Sequence, residues 1–160
     1  MTSCALQAGL RPAWTEWLSQ RPWSLFVTLT SKGRTHPEAL YKRQAYCLNK
    51  ISDALYGRRV TRRGNPIEHV TGIELHKSGW PHSHAVWRMP GVDLADQEQF
   101  SLAHWQEFMT ETGGFVWLSR PRSQGDVVSY VTKYVTKGGE LILSDNLSPA
   151  VDPSPSLLAR

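Results

Sequence analysis

Cysteine, long hydrophobic runs and phosphate-loop motifs are scarce or absent in this chain of 160 residues. Its two cysteines, Cys4 and Cys47, are too few for a disulfide framework or a cysteine metal site. No apolar run approaches the roughly 18 residues of a membrane span, and the N-terminus MTSCALQAGL lacks the basic and apolar regions of a secretory signal. No G-x-x-x-x-G-K-[ST] motif is present, which disfavours an attached helicase. These absences predict a single cytoplasmic domain without membrane contact.

Positive charge is concentrated in the first half of the chain. The net charge is +4 and the pI about 9.3, but residues 32–88 hold eleven Lys and Arg against four Asp and Glu. Residues 89–160 hold five against nine. The densest basic cluster comprises Arg58, Arg59, Arg62 and Arg63. Such a cluster attracts phosphate backbones, so we expect it to bind DNA; the alternative is a solvated basic loop.

Apolar periodicity predicts alternating strands and helices. Strands are predicted at residues 24–30, 67–75, 82–89 and 115–120. Helices are predicted at residues 38–56, 97–112 and 126–137, after a short one near Trp14. This order is typical of an α+β fold, an antiparallel sheet with helices packed on one face. We expect an N-terminal extension over residues 1–23, one domain over 24–143 and a flexible tail over 144–160.

Two histidines one residue apart, His82 and His84, lie on a predicted strand. Alternation places both imidazoles on the same face of that strand, and two neutral imidazoles suit a divalent metal. Glu74 precedes them across a short turn, so strand pairing can bring its carboxylate beside them. His76 shares the face of Glu74 and is a second possibility for the third ligand. The alternative is that these are ordinary surface residues.

The segment YVTKYVTK places two tyrosines, Tyr130 and Tyr134, on one face of a predicted helix. Lys133 and Lys137 each follow a tyrosine by three residues and lie near that face. A phenol is a weak nucleophile until a metal, base or cation stabilises its phenolate, and a lysine one turn away can do so or hold a phosphate. Alternatively, the tyrosines pack the helix on the sheet and the lysines face solvent.

These parts together suit a metal-assisted phosphodiester transesterase. Three segments in chain order, FVTLT (Phe26–Thr30), GWPHSHAVW (Gly79–Trp87) and YVTKYVTK, resemble the motifs of the HUH endonuclease superfamily. Within it, the chain resembles the two-tyrosine rolling-circle replication initiators (Rep proteins) of small phages and plasmids. The resemblance spans about residues 24–137. One departure is Ser83, which stands between the histidines where the family has a large apolar residue; we expect it to face the opposite side of the sheet.

The resemblance implies a ferredoxin-like sandwich and a site-specific nicking activity. It implies Mg²⁺ or Mn²⁺ on Glu74, His82 and His84, and nucleophilic tyrosines at Tyr130 and Tyr134 assisted by Lys133 and Lys137. Such proteins cut single-stranded or unwound origin DNA, keep a 5′-phosphotyrosine and release a 3′-hydroxyl. A host helicase and polymerase are the implied partners, in the cytoplasm of a bacterial host.

Other functions remain open from the sequence. A single-stranded DNA transposase of the same superfamily fits the length, although such transposases resemble one-tyrosine enzymes. A relaxase resembles a three-histidine pattern, and the next histidine, His104, lies in a predicted helix. A non-catalytic nucleic-acid-binding module would suit the basic first half and the seven tryptophans. A structural zinc domain is disfavoured because the cysteines lie far from the histidines.

Overall fold

The structure is a computed structural model that describes residues 12–31, 35–75, 77, 79–112, 114–136 and 141–147, without the side chains of 108–112 and 134–136. Its strands are β1 (Leu25–Thr30), β2 (Glu68–Leu75), β3 (Pro81–Arg88), β4 (Phe115–Ser119) and β5 (Leu141–Leu143). They form one antiparallel sheet in the order β4-β1-β3-β2-β5. The helices are α1 (residues 12–19), α2 (Pro37–Tyr56), α3 (Arg58–Thr61), α4 (Leu94–Thr112) and α5 (Gln124–Thr136).

The predicted α+β class is confirmed, and every predicted strand and helix has a counterpart in the described residues. The sequence patterns missed two short elements. Strand β5 has three residues and pairs with β2, and α3 has a single turn of four residues. Segments this short do not repeat a hydrophobic period, so their conformation depends on the neighbouring β2 and α2 rather than on their own sequence.

Helix α2 illustrates how local sequence sets the limits of an element. Pro37 occupies the first helical turn, where its missing N–H costs nothing, and the Nδ1 atom of His36 accepts a hydrogen bond from the amide of Glu38 at 3.3 Å. Gly57 ends the helix with a φ of 85°, a conformation that suits glycine. The helix buries four apolar side chains against the sheet, those of Leu40, Cys47, Leu48 and Ile51.

Helices cover both faces of the sheet, which corrects the expectation of one helical face. On the first face, Val27 of β1 and Trp87 of β3 pack in one core with residues of α2 and α4. On the second face, Val86 of β3 packs with Val127 and Val131 of α5. The central strands carry apolar side chains at both alternating sets of positions, so each face needs a cover that removes it from water.

The chain segments that flank the predicted domain contribute to the second core. Leu18 of α1 and Trp23 are buried there, and the side chain of Gln124 bonds both the backbone N–H and the C=O of Trp23. Leu147, which lies within the predicted tail, is also buried in this core. The rest of the predicted tail, residues 148–160, lies outside the described residues. No helix in the described part of the chain is both long and apolar enough to cross a membrane.

A buried histidine at the start of β2 predicts a specific acid sensitivity. Burial lowers the pKa of His69 from 6.5 to about 4, opposed by the charge of Asp145. The unfolded chain therefore binds a proton near pH 6.5 that the folded protein refuses until about pH 4. His69 contributes no penalty above pH 6.5, and stability falls by roughly 3 kcal/mol as the pH decreases across that window.

Urea unfolding at several pH values between 4 and 7 measures this effect. In a His69→Gln variant the difference in unfolding free energy between the two ends of the range should shrink by most of that amount, whatever the variant does to stability at neutral pH. An unchanged pH dependence in His69→Gln would assign the acid sensitivity to other groups.

Candidate active site

Glu74, His82 and His84 meet on the second face of the sheet, beneath α5. Glu74 of β2 lies directly opposite His82 of β3, and Gly72 lies opposite His84. Glu74 is therefore also the diagonal neighbour of His84, within reach of a long side chain. One carboxylate oxygen of Glu74 lies 3.7 Å from Nε2 of His82 and 3.9 Å from Nε2 of His84. The pairing of two strands through a short turn thus produces the cluster that the sequence predicted.

The three side chains fit a divalent ion by their donor set. Their ligand atoms lie within 4.8 Å of one another, and each side chain is partly buried. Ligand atoms about 2.1 Å from a shared ion are roughly 3–3.5 Å apart, so an inward movement of a few tenths of an ångström would complete the group. Two imidazoles and one carboxylate leave coordination positions open. Metal binding by these residues stays a prediction, and His76 lies outside the described residues.

Tyr130 of α5 contacts the cluster through His84. Its hydroxyl lies 2.6 Å from Nδ1 of His84, the ring nitrogen on the far side from Glu74. The same nitrogen lies 3.2 Å from the hydroxyl of Thr28. The tyrosine ring also packs on Phe26, with ring centroids 4.7 Å apart. The imidazole of His84 therefore joins the carboxylate side of the cluster to the tyrosine.

The position of Tyr130 follows from the apolar pattern of α5. Val127 and Val131 are buried three residues before and one residue after it, so the helix turns this face toward the sheet. The start of α5 is held at Trp23, just before β1, and Tyr130 reaches the middle of β3. Helix α5 therefore runs toward the end of the sheet that carries Glu74.

The remaining residues of the tyrosine motif are only partly described. The backbone of Tyr134 lies in α5, one turn or about 6 Å beyond Tyr130 along the helix; its side chain is outside the described set. Lys133 is exposed on α5, and Lys137 lies outside the described residues. Their predicted roles stay predictions.

The arginine cluster is not brought to the histidines. Arg58 and Arg59 belong to α3, Arg62 and Arg63 follow it, and all four are exposed. The chain then enters β2 at Glu68, six residues before Glu74, which is about 20 Å along a strand. Arg58 also forms an ion pair with Asp53 at 3.8 Å. Any contact of this cluster with DNA would be made at the far end of the sheet.

Thr28 is a site residue that the sequence patterns did not identify. Its hydrogen bond to His84 holds the ring at the nitrogen that does not face Glu74. Such outer partners of metal-binding histidines orient the ring and select its tautomer. The signal was present in FVTLT, where Phe26, Thr28 and Thr30 share one strand face, but only the pairing of Thr28 with His84 gives it meaning.

Ser83, the departure between the two histidines, has a structural explanation. Its side chain faces the first core, as predicted, and is fully buried. The Ser83 hydroxyl donates to Oε1 of Gln44 on α2 at 3.0 Å, and Nε2 of Gln44 donates to the Thr71 hydroxyl at 2.6 Å. A large apolar residue at 83 would leave Gln44 without this partner. The buried bonds tie β3 and β2, the strands that carry the candidate ligands, to one helix.

Gln44→Leu is expected to destabilise the fold by roughly 2–4 kcal/mol, because it leaves buried hydroxyls at Ser83 and Thr71 short of partners that cost about 1–3 kcal/mol each. Denaturant unfolding measures the change. Gln99→Leu, the same substitution at an exposed position of α4, should change stability by less than about 0.5 kcal/mol. Adding Ser83→Ala to Gln44→Leu should recover part of the loss; strictly additive losses would show that the two residues do not interact.

A family of replication proteins matches most of the chain. Its model, described as a replication-associated protein of the ORF2 type, matches residues 24–139. Among solved structures, the N-terminal nuclease domain of non-structural protein 1 of minute virus of mice aligns at 10% identity with a TM-score of 0.31, over 83% of this chain and 71% of that chain. That domain is reported to have a unique Zn²⁺ coordination in its active-site pocket and a novel mode of DNA recognition at the origin of replication. No curated protein matches the chain.

Proposed function

Because the chain belongs to this family of replication-associated proteins, we propose that it is a metal-dependent endonuclease that nicks single-stranded DNA to initiate rolling-circle replication. The family match bears out the resemblance to replication initiators; the two-tyrosine type stays a prediction. The observation that carries the proposal is the 2.6 Å contact between the Tyr130 hydroxyl and His84. It joins a potential nucleophile to the group of potential metal ligands, which a purely structural tyrosine has no need to do.

In the proposed reaction the oxygen of Tyr130 attacks the scissile phosphorus. A bond forms between that oxygen and phosphorus, the bond to the 3′-oxygen breaks, and the 3′-oxygen takes up a proton. The products are a 5′-phosphotyrosine and a free 3′-hydroxyl. A divalent ion such as Mg²⁺ or Mn²⁺, held by Glu74, His82 and His84, would supply Lewis-acid polarisation of the phosphate.

His84 is proposed to prepare the tyrosine for attack. When Nε2 is used as a ligand, the imidazole keeps its hydrogen on Nδ1. The Nδ1–H group then donates to the Tyr130 oxygen and favours the phenolate over the phenol. Thr28 shares the same nitrogen and holds the ring plane. We assign Lys133 and Lys137 to orienting the phosphate or assisting the phenolate.

Tyr134 is proposed to carry out the second strand transfer while the first strand end stays attached to Tyr130; the reverse order is the alternative. The direction of α5 supports a role for both, because the backbone of Tyr134 lies one turn nearer the end of the sheet that carries Glu74 and His82. A one-tyrosine transposase would use only one of these residues, and single-tyrosine variants distinguish the two functions.

The proposed partners are single-stranded or unwound origin DNA, with a host helicase and polymerase, in the bacterial cytoplasm. Arg58, Arg59, Arg62 and Arg63 are proposed to contact the phosphate backbone of DNA outside the cleavage site, since the cluster lies along β2 from the histidines. Its contribution would be sequence-independent and sensitive to salt.

The test is a nicking assay on a labelled, randomised single-stranded library with Mn²⁺. We expect a covalent protein–DNA adduct and an enriched cleavage sequence. A protein that binds the library and forms neither adduct nor cut strand in Mg²⁺ or Mn²⁺ would instead be a non-catalytic binding module, and the proposed function would be wrong.

A further inference from the structure

Two exposed aromatic side chains lie on the same face of the sheet as the candidate metal ligands. Phe115 and Trp117 of β4 are 61% and 50% exposed. Pairing through β1 places Phe115 in the row of Thr30, His82 and Glu74, and Trp117 in the row of Thr28, His84 and Gly72. Paired residues point to the same face, so both rings stand beside the site.

The separation suits neighbouring nucleotides of one strand. Strand β4 lies two strands from β3 in the sheet, which is about 10 Å. Stacked nucleotides advance about 3.4 Å each, so the rings lie within roughly three nucleotides of a phosphate held at the histidines. A strand cleaved at Tyr130 would have to pass this surface or leave in the opposite direction.

Exposed aromatics on an edge strand need a physical reason. Among the described strands β4 forms one edge of the sheet, and an apolar edge favours unwanted pairing with other chains. Helix α5 packs on β2 and β3, which leaves the second face of β4 open to solvent. Large exposed apolar side chains that adjoin each other and a potential active site are typical of a binding surface.

A groove connects this surface to the tyrosine. It has a volume of about 570 Å³, and its lining includes Trp117, Arg120, Arg122, Asp126 and Tyr130. Arg122 is exposed, whereas Arg120 makes two hydrogen bonds of 2.7 and 2.5 Å to the carboxylate of Glu98. Two guanidinium groups against the single lining carboxylate of Asp126 favour a phosphate-bearing ligand.

We propose that Phe115 and Trp117 stack the bases that flank the scissile phosphate, while Arg122, with Arg120, holds the adjoining phosphates. Aromatic faces bind bases with little sequence preference, and a cationic groove that follows the backbone adds affinity. This surface would therefore define the path of the strand into the active site. The inference rests on the proposed function, because it assigns this surface to the DNA strand that Tyr130 attacks.

The test measures binding of a short fluorescein-labelled oligo(dT) strand by anisotropy, in EDTA so that no cleavage takes place. Trp117→Ala should weaken binding by about 5- to 100-fold, the effect of losing one stacked base, and Phe115→Ala by a similar or smaller factor. Trp117→Phe should retain most of the affinity because it keeps a ring. Tyr46→Ala removes an equally exposed aromatic from α2 on the other face and should leave binding unchanged.

Photo-crosslinking with oligo(dT) that contains 5-iododeoxyuridine locates the contact independently. Crosslinked peptides from β4, containing Phe115 or Trp117, are expected. The proposal is overturned by unchanged affinity in Trp117→Ala, by crosslinks confined to other segments, or by wild-type protein that does not bind the strand. A dimer that forms without DNA and dissociates in Trp117→Ala, measured by sedimentation, would instead assign the surface to a second copy of the chain.

The outcomes separate this inference from the proposed function. If Trp117→Ala loses affinity but the wild-type protein never cuts DNA, the stacking surface stands and the nicking function falls. If wild-type protein nicks DNA and Trp117→Ala binds and nicks equally well, the reverse holds. Far-ultraviolet circular dichroism of each variant checks that a loss of affinity does not come from unfolding.

Discussion

Tyr130→Phe is expected to reduce the first covalent protein–DNA adduct by at least about 10³-fold, the scale seen when a nucleophile is removed. The substitution keeps the ring that packs on Phe26 and removes only the oxygen that lies against His84. Folding should change little, since a half-buried hydrogen bond contributes about 1 kcal/mol. The measurement is single-turnover adduct formation on a labelled strand with Mn²⁺, resolved by denaturing gel.

Tyr134→Phe is the matched control, because it makes the same chemical change one turn along α5. It should form the first adduct and fail in the second transfer, which is read as loss of strand joining. If Tyr134→Phe loses the first adduct while Tyr130→Phe keeps it, the order of the tyrosines is reversed. An adduct formed by the double variant would rule out tyrosine as the nucleophile.

His82→Ala is expected to remove metal-dependent stabilisation and to lower the nicking rate by at least about 100-fold. Changes to the outer partners of metal ligands already cost about 10–100-fold, and loss of one of three protein ligands should cost more. His82 is the better choice of the two histidines, because His84 also contacts Tyr130 and Thr28. Its replacement therefore affects the metal group with least disturbance of the tyrosine.

Thermal unfolding with increasing Mn²⁺, after treatment with a chelator, measures binding without any cleavage. The wild-type protein should gain stability with metal concentration, since a ligand that binds only the folded state stabilises it. His104→Ala, at a half-buried histidine of α4, should keep the full response. An equal Mn²⁺ response in His82→Ala would show that the ion binds elsewhere.

The two predictions fail in different ways, which separates the parts of the site. Loss of the Mn²⁺ response with an intact adduct would mean that the tyrosine reacts without the ion. A retained response with no adduct in the wild-type protein would leave Glu74, His82 and His84 as a metal site without the proposed chemistry. The network of Gln44 and Ser83 lies behind both, because it holds β2 and β3 from the opposite face.

Local sequence patterns were enough to predict most of the elements and the part of the site that lies on β2 and β3. Alternation of two residues in strands and about 3.6 in helices sets which side chains share a face, and a short turn leaves little freedom in pairing these two strands. Glu74, His82 and His84 could therefore be grouped from the sequence alone. The tyrosines could be assigned to one helix face by the same periodicity.

Contacts between elements that are distant in the chain depend instead on tertiary packing. Periodicity does not say which face of the sheet α5 covers, and the contact of Tyr130 with His84 joins residues 46 positions apart. The same holds for the partner of Ser83 on α2, for the distance of the arginine cluster from the histidines and for the open face of β4. These arrangements depend on burying two apolar faces of one sheet at once, a condition that no local segment of the sequence contains.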